Sequence, residues 1–140
     1  MTGTVILDNE AVQALWSPEH RKHRRALSHV QVVAVRKRKG RRSAEIVVPV
    51  SVRVEAGWDR SDARAAFINL LGIRDAPLDK ESGNRAAAIA AEQGGSVADA
   101  HVGATAQLLP EDTGPVTIIS SDPDDMQAVA GPRRVNIVRL

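Results

Sequence analysis

Four acidic residues, far apart in the chain, stand where a strand should end or a helix should begin. Asp8 follows the apolar run Val5-Ile6-Leu7, and Glu55 closes the valine-rich stretch that starts at Val48. Asp99 lies among Val97, Ala98, Ala100 and Val102, and Asp122 follows Ile119-Ser120-Ser121. Carboxylates in apolar settings are partly desolvated, and several that converge shift toward protonation unless a cation joins them. A hard divalent ion wants oxygen donors, and magnesium takes one or two carboxylates, keeps waters and meets substrate phosphate. Such a site can activate water and neutralise charge on a phosphodiester. Singly, each acid has a plainer reading. Asp8 and Asp122 could be helix N-caps, Glu55 a surface or paired glutamate, and Asp99 a favourable charge at a helix N-terminus. The ordered set of four carries the information.

Periodicity indicates the elements that must position these acids. Residues 4–7 read as a buried strand, followed by a short helix over 9–15. Ser17 and Pro18 read as an N-cap and a first helical position, opening a helix through Val35 with Ala26, Leu27, Val30, Val33 and Ala34 as its apolar stripe. Gly40 ends it. Residues 46–48 form a second strand. Pro49 begins a helix to about Trp58, although Val50, Val52 and Val54 alternate and also fit a strand. Ser61 caps a helix through Leu71 that Gly72 stops. A short strand over 73–78, an alanine-rich helix over 79–93 and a helix over 97–108 opened by Ser96 come next. Residues 116–119 form a strand, 123–130 a helix and 135–138 a last strand. This alternation predicts one α/β domain over residues 1–140, with a mostly parallel sheet of four to five short strands between layers of helices. Ligands of such sheets sit outside the carboxyl ends of the strands, where Asp8 and Asp122 fall.

Composition removes several alternatives. The chain has 140 residues and no cysteine, which excludes disulfides, thiolate metal sites and cysteine nucleophiles. Its aromatic residues are Trp16, Trp58 and Phe67, too few for recognition by base stacking. The core must be aliphatic. No apolar run approaches about 18 residues, so no membrane helix is expected, and the first residues lack the basic, then apolar pattern of a signal peptide. A cytoplasmic location is expected. Charge is unevenly placed: ten Lys and Arg fall between Glu19 and Arg42, leaving nine basic against sixteen acidic residues elsewhere. Such a positive arm reads either as a phosphate-backbone footprint or as a solvated helix face and turn.

The segments Val5-Ile6-Leu7-Asp8, Val48-Pro49 through Glu55, Val97-Ala98-Asp99 through Ala106, and Thr117 through Met126 together resemble the PIN domain, and more narrowly the VapC-type toxins of bacterial toxin–antitoxin pairs. The resemblance spans essentially the whole chain. It implies a three-layer PIN-like fold and an endoribonuclease that uses magnesium or manganese. Carried over residue by residue, it implies the acids Asp8, Glu55, Asp99 and Asp122, a supporting hydroxyl on Ser120 and a further metal-site candidate in Asp125. An antitoxin partner and a homodimer are also implied. In this reading Asp8, Asp99 and Asp122 bind the cation directly or through water, and Glu55 holds a second cation or positions a water. The basic segment has no role in the resemblance; by charge alone, Arg21, Lys22, Arg24, Arg25, Arg36, Lys37, Arg38 and Lys39 are expected to hold RNA phosphates, with Arg41 and Arg42 extending the cluster.

Other candidates carry less. His101 lies two residues from Asp99, hence on another helix face, and reads as a surface or packing residue. His20, His23 and His29 read as surface residues. Ser120 and Ser121 sit in no nucleophile elbow. A receiver-like phospho-acceptor would need a central aspartate and a late lysine, but Lys80 is the sole lysine after Lys39. A non-catalytic module that binds nucleic acid through residues 19–42 is the competing class.

Overall fold

Five short strands pair in one parallel sheet in the order β3-β2-β1-β4-β5. They are β1 (Thr4–Leu7), β2 (Glu45–Pro49), β3 (Arg74–Ala76), β4 (Val116–Ser120) and β5 (Asn136–Arg139). The structure, a computed structural model, describes residues 3–40 and 44–140, and for Lys37 and Arg38 the backbone alone. The helices are α1 (Asn9–Trp16), α2 (His23–Arg38), α3 (Val50–Ala56), α4 (Ala66–Asn69), α5 (Lys80–Gln93), α6 (Val97–Gln107) and α7 (Pro123–Ala130). From β1 the chain steps outward to β2 and β3, then returns past β1 to β4 and β5. Right-handed crossovers therefore put the helices of the two halves on opposite faces. Helix α6 packs on β1 and β2, α7 on β4 and β5, and α2 on β2, while α3 bridges α1 and α6. This is the three-layer, PIN-like α/β architecture expected from the sequence.

The core is aliphatic, with Ile6, Leu7, Val48, Val102 and Ile118 fully buried. Trp58 is the exception. Its ring lies under the Arg60 guanidinium at 4.3 Å, and its indole N–H donates to Asn69. Arg53 and Arg60 both pair with Asp75, which fixes the start of β3 to α3. Helix α6 is lined with small residues, and Gly103 lies so close to α7 that an added Cβ would stand 2.3 Å from the Val129 carbonyl oxygen. That close approach packs α6 against the last turn of α7, one helical turn beyond Asp99 and Asp125. Among the described residues no helix is long and apolar enough to cross a membrane.

Two helix starts differ from the sequence expectation. Ser17 closes α1 instead of opening the next helix. Its N–H bonds the Gln13 carbonyl, and its hydroxyl donates to Glu19. Being before Pro18, it is held extended. The chain then makes successive turns, with His20 N–H on Ser17 O and His23 N–H on His20 O, so α2 begins at His23. The helix expected from Ser61 to Leu71 is a 3-10 turn (Ala63–Ala65) followed by the four-residue α4. Asp62 is its cap, because Ser61 is engaged by the Asp59 carboxylate. The ambiguous valines of 50–54 are helical, and Gly57 ends α3 at φ +78°.

Candidate active site

Strands β1 and β4 are neighbours with Leu7 opposite Ile119, so the residues after them emerge side by side. The chain reverses its direction of travel across the sheet here, which is the position where open α/β sheets bind ligands. Asp8 caps α1, its carboxylate accepting the Ala11 N–H at 2.9 Å, and is only 6% exposed. Ser120 is fully buried at the end of β4. Its hydroxyl accepts the Asp122 N–H at 2.9 Å and stabilises the charged form of the Asp8 carboxylate from the neighbouring strand end. Burial pushes the Asp8 pKa up to about 6; the Ser120 and Ala11 hydrogen bonds oppose the rise, and the charges of Asp99 and Glu10 add to it.

Asp99 reaches this place from the first turn of α6, where the Ser96 hydroxyl caps its N–H at 3.0 Å. It passes close to Gly95, whose φ of +86° suits glycine: an added Cβ would meet the Asp99 carboxylate at 3.5 Å. On the far side, Asp125 stands beside Asp122, in the first turn of α7. The Asp122 carboxylate above all, then desolvation and the Asp99 and Asp124 charges, push the Asp125 pKa up. Asp8, Asp99, Asp125 and Asp122 thus form a chain of mutually repelling carboxylates. Glu55 stands apart, exposed on the last turn of α3, and takes a 2.7 Å hydrogen bond from the Asn9 side chain. Gln13 in turn donates to Asn9 at 2.9 Å. Among the described residues no three acidic or histidine side chains already form a closed metal cage. All the donors are oxygens, and two carboxyl groups are held with raised pKa, a combination that suits a hard divalent cation.

His101 is fully buried, bonded through one ring nitrogen to the Ser51 hydroxyl and through the other to the Pro77 carbonyl at 3.1 Å. Burial pushes its pKa down, and it packs α6 against α3 rather than facing the acids. His20 and His23 are not free surface groups. The turns after Ser17 fold them back on α1, where His20 meets Glu10 at 3.3 Å and His23 meets the Ala14 carbonyl at 2.7 Å. His29 is likewise half-buried. The sequence reading missed Asn9, whose sole signal is its place directly after Asp8.

The basic segment is divided. Arg21, Arg24 and Arg25 are exposed near the start of α2, and Lys22 pairs with Glu10 at 3.5 Å. Arg36 and Lys39 lie at the other end of a helix about 24 Å long. By then the chain is back at the opposite, amino end of the strands, because Glu45 pairs with Thr4 at the start of β1. The side chains of Lys37 and Arg38, and Arg41 and Arg42 altogether, lie outside the described residues.

No protein-family model matches the chain, and no curated protein matches it. The fold does match solved structures. One is the crystal structure of VapBC2 from Rickettsia felis bound to a DNA fragment from their promoter. It is similar over 97% of this chain and 98% of that chain, with a TM-score of 0.56 and 10% sequence identity. At that identity the likeness is one of fold.

Proposed function

We propose that the chain is a divalent-metal-dependent endoribonuclease, acting as the toxin of a toxin–antitoxin pair. The observation that carries this reading is Asp8, buried at the switch point of the sheet and electrostatically opposed by Asp99. Converging carboxylates shift toward protonation unless a cation joins them, so a cation is the partner that would let them stay ionised near neutral pH. The resemblance to VapC-type toxins and the likeness in fold to a VapBC2 chain point the same way.

Asp8 and Asp99 would hold the ion, with Asp122 and Asp125 closing the site from α7. When bound, magnesium or manganese supplies positive charge to a phosphodiester and activates water for attack on phosphorus. Ser120 keeps the Asp8 carboxylate oriented. Glu55, fixed by Asn9, accepts a proton or orients water at the rim. The antitoxin partner and a homodimer are part of the same proposal.

The competing reading is a non-catalytic nucleic-acid-binding module. It is favoured by the absence, among the described residues, of a ready-made group of three ligands. Incubating the purified protein with total cellular RNA, with and without magnesium or manganese, separates the two. Cleavage that needs metal and is lost in Asp8→Asn is expected. Undiminished cleavage by Asp8→Asn would remove the acids from the mechanism, and no cleavage under any condition would leave the binding module.

A further inference from the structure

Beside the acids, a cleft of ≈520 Å³ opens between the turn before α2 and the end of the sheet. Arg21, Lys22, Arg24 and Arg25 line one wall, and Ser121 and Arg139 the other. Arg139 is the register partner of Ser120, so it stands at the same carboxyl end of the sheet as Asp8 and Asp122, one strand over. Ser121 joins the cleft directly to Asp122. Lys22 is paired with Glu10, but among the described residues Arg21, Arg24, Arg25 and Arg139 make no ion pair with an acid. Four guanidinium groups facing one cleft repel one another. Phosphate is the ligand that relieves such a cluster best, because it accepts the paired N–H donors of arginine.

We propose that this cleft is the track for a single RNA strand entering the acidic site, with Arg139 as one of its phosphate contacts. The proposal rests on the ribonuclease reading and names the path of its substrate. The cleft has the volume of a small-ligand pocket, room for the sugar–phosphate of one strand. Arg36 and Lys39 are excluded from the track. They stand about 20 Å away along α2, and a screening length of about 8 Å at physiological salt makes them electrostatically independent of it.

The test is the salt dependence of binding fluorescein-labelled oligouridine to the intact protein in EDTA, where the readout is independent of cleavage. For single strands the log–log slope is about −0.7 per phosphate contacted, so four arginine contacts give about −2.8. That is roughly a 50-fold loss of affinity between 50 and 200 mM salt. Arg24→Gln/Arg25→Gln should make the slope shallower by about 1.4 and Arg139→Gln by about 0.7, while Arg36→Gln/Lys39→Gln leaves it in place. An unchanged slope in Arg139→Gln, an equal effect from Arg36→Gln/Lys39→Gln, or tighter binding of duplex DNA than of oligouridine would each overturn the proposal. If these binding results hold but metal-dependent cleavage is absent, the ribonuclease reading fails and the strand-binding track stands.

Discussion

Burying Asp8 raises its pKa from 3.8 to about 6, so the folded protein holds this proton more tightly than the unfolded chain does. The resulting penalty on folding is absent below about pH 3.8 and fully developed above about pH 6, where the folded state must keep a desolvated carboxylate. A shift of this size is worth up to about 3 kcal/mol. Asp8→Asn keeps the cap on α1, since asparagine caps as well as aspartate. In metal-free buffer it should therefore raise the melting temperature at pH 8 by several degrees, with the gain disappearing near pH 4; thermal unfolding across pH measures this. A second consequence concerns Ser120, whose hydrogen bond opposes the rise. Ser120→Ala should move the acidic limb of the cleavage pH–rate profile to higher pH, and an unmoved limb would separate Ser120 from Asp8. Asp8 was legible as a buried acid because a carboxylate directly after an apolar run has few ways to be solvated; Asp99, half-buried, and Asp122, exposed, are less desolvated than their sequence settings suggest. Asn9 was not legible, because its partner Glu55 lies on another element and no local pattern marks the pair.

At the scale of elements, the close approach of α6 and α7 at Gly103 sets the spacing of Asp99 from Asp122 and Asp125. A Cβ at position 103 would meet the backbone of Val129, which cannot yield like the tip of a side chain. Gly103→Ala should cost about 1–3 kcal/mol, as overpacking commonly does; a lowered urea midpoint would show it, and an unchanged midpoint would mean the helices separate freely. By contrast, Asp79 caps α5 through the Ser82 N–H, and Asp79→Ala should cost about 1 kcal/mol by the same measurement. Strands β1, β2 and β4 were readable because buried parallel strands are short apolar runs bounded by turn residues. Helix starts were less so. Both Ser17 and Ser61 have the composition of an N-cap, but neighbouring residues engage them first: the Gln13 carbonyl and Glu19 for Ser17, the Asp59 carboxylate for Ser61. Local composition shows that a cap is possible; only the competing partners decide where it forms.

At the scale of the molecule, the strand order puts β1 and β4 together at the centre, and so brings residues 8 and 122 to one end of one sheet. Charge is organised by the same topology. The start of α2 meets the acidic end of the sheet, and its end returns toward the opposite, amino end of the strands. The sequence showed the basic segment as one arm because a linear count cannot show that a helix about 24 Å long divides it. The claim beneath all of this is that the gathered carboxylates hold a divalent cation. Its most direct test is thermal unfolding of the wild-type protein, Asp8→Asn and Asp99→Asn during a manganese titration near neutral pH. A site filled at about a hundredfold its Kd adds about 2.7 kcal/mol to the wild type, so its melting temperature should climb with manganese while both variants stay flat. Equal climbs in all three proteins, or none in the wild type, would contradict it.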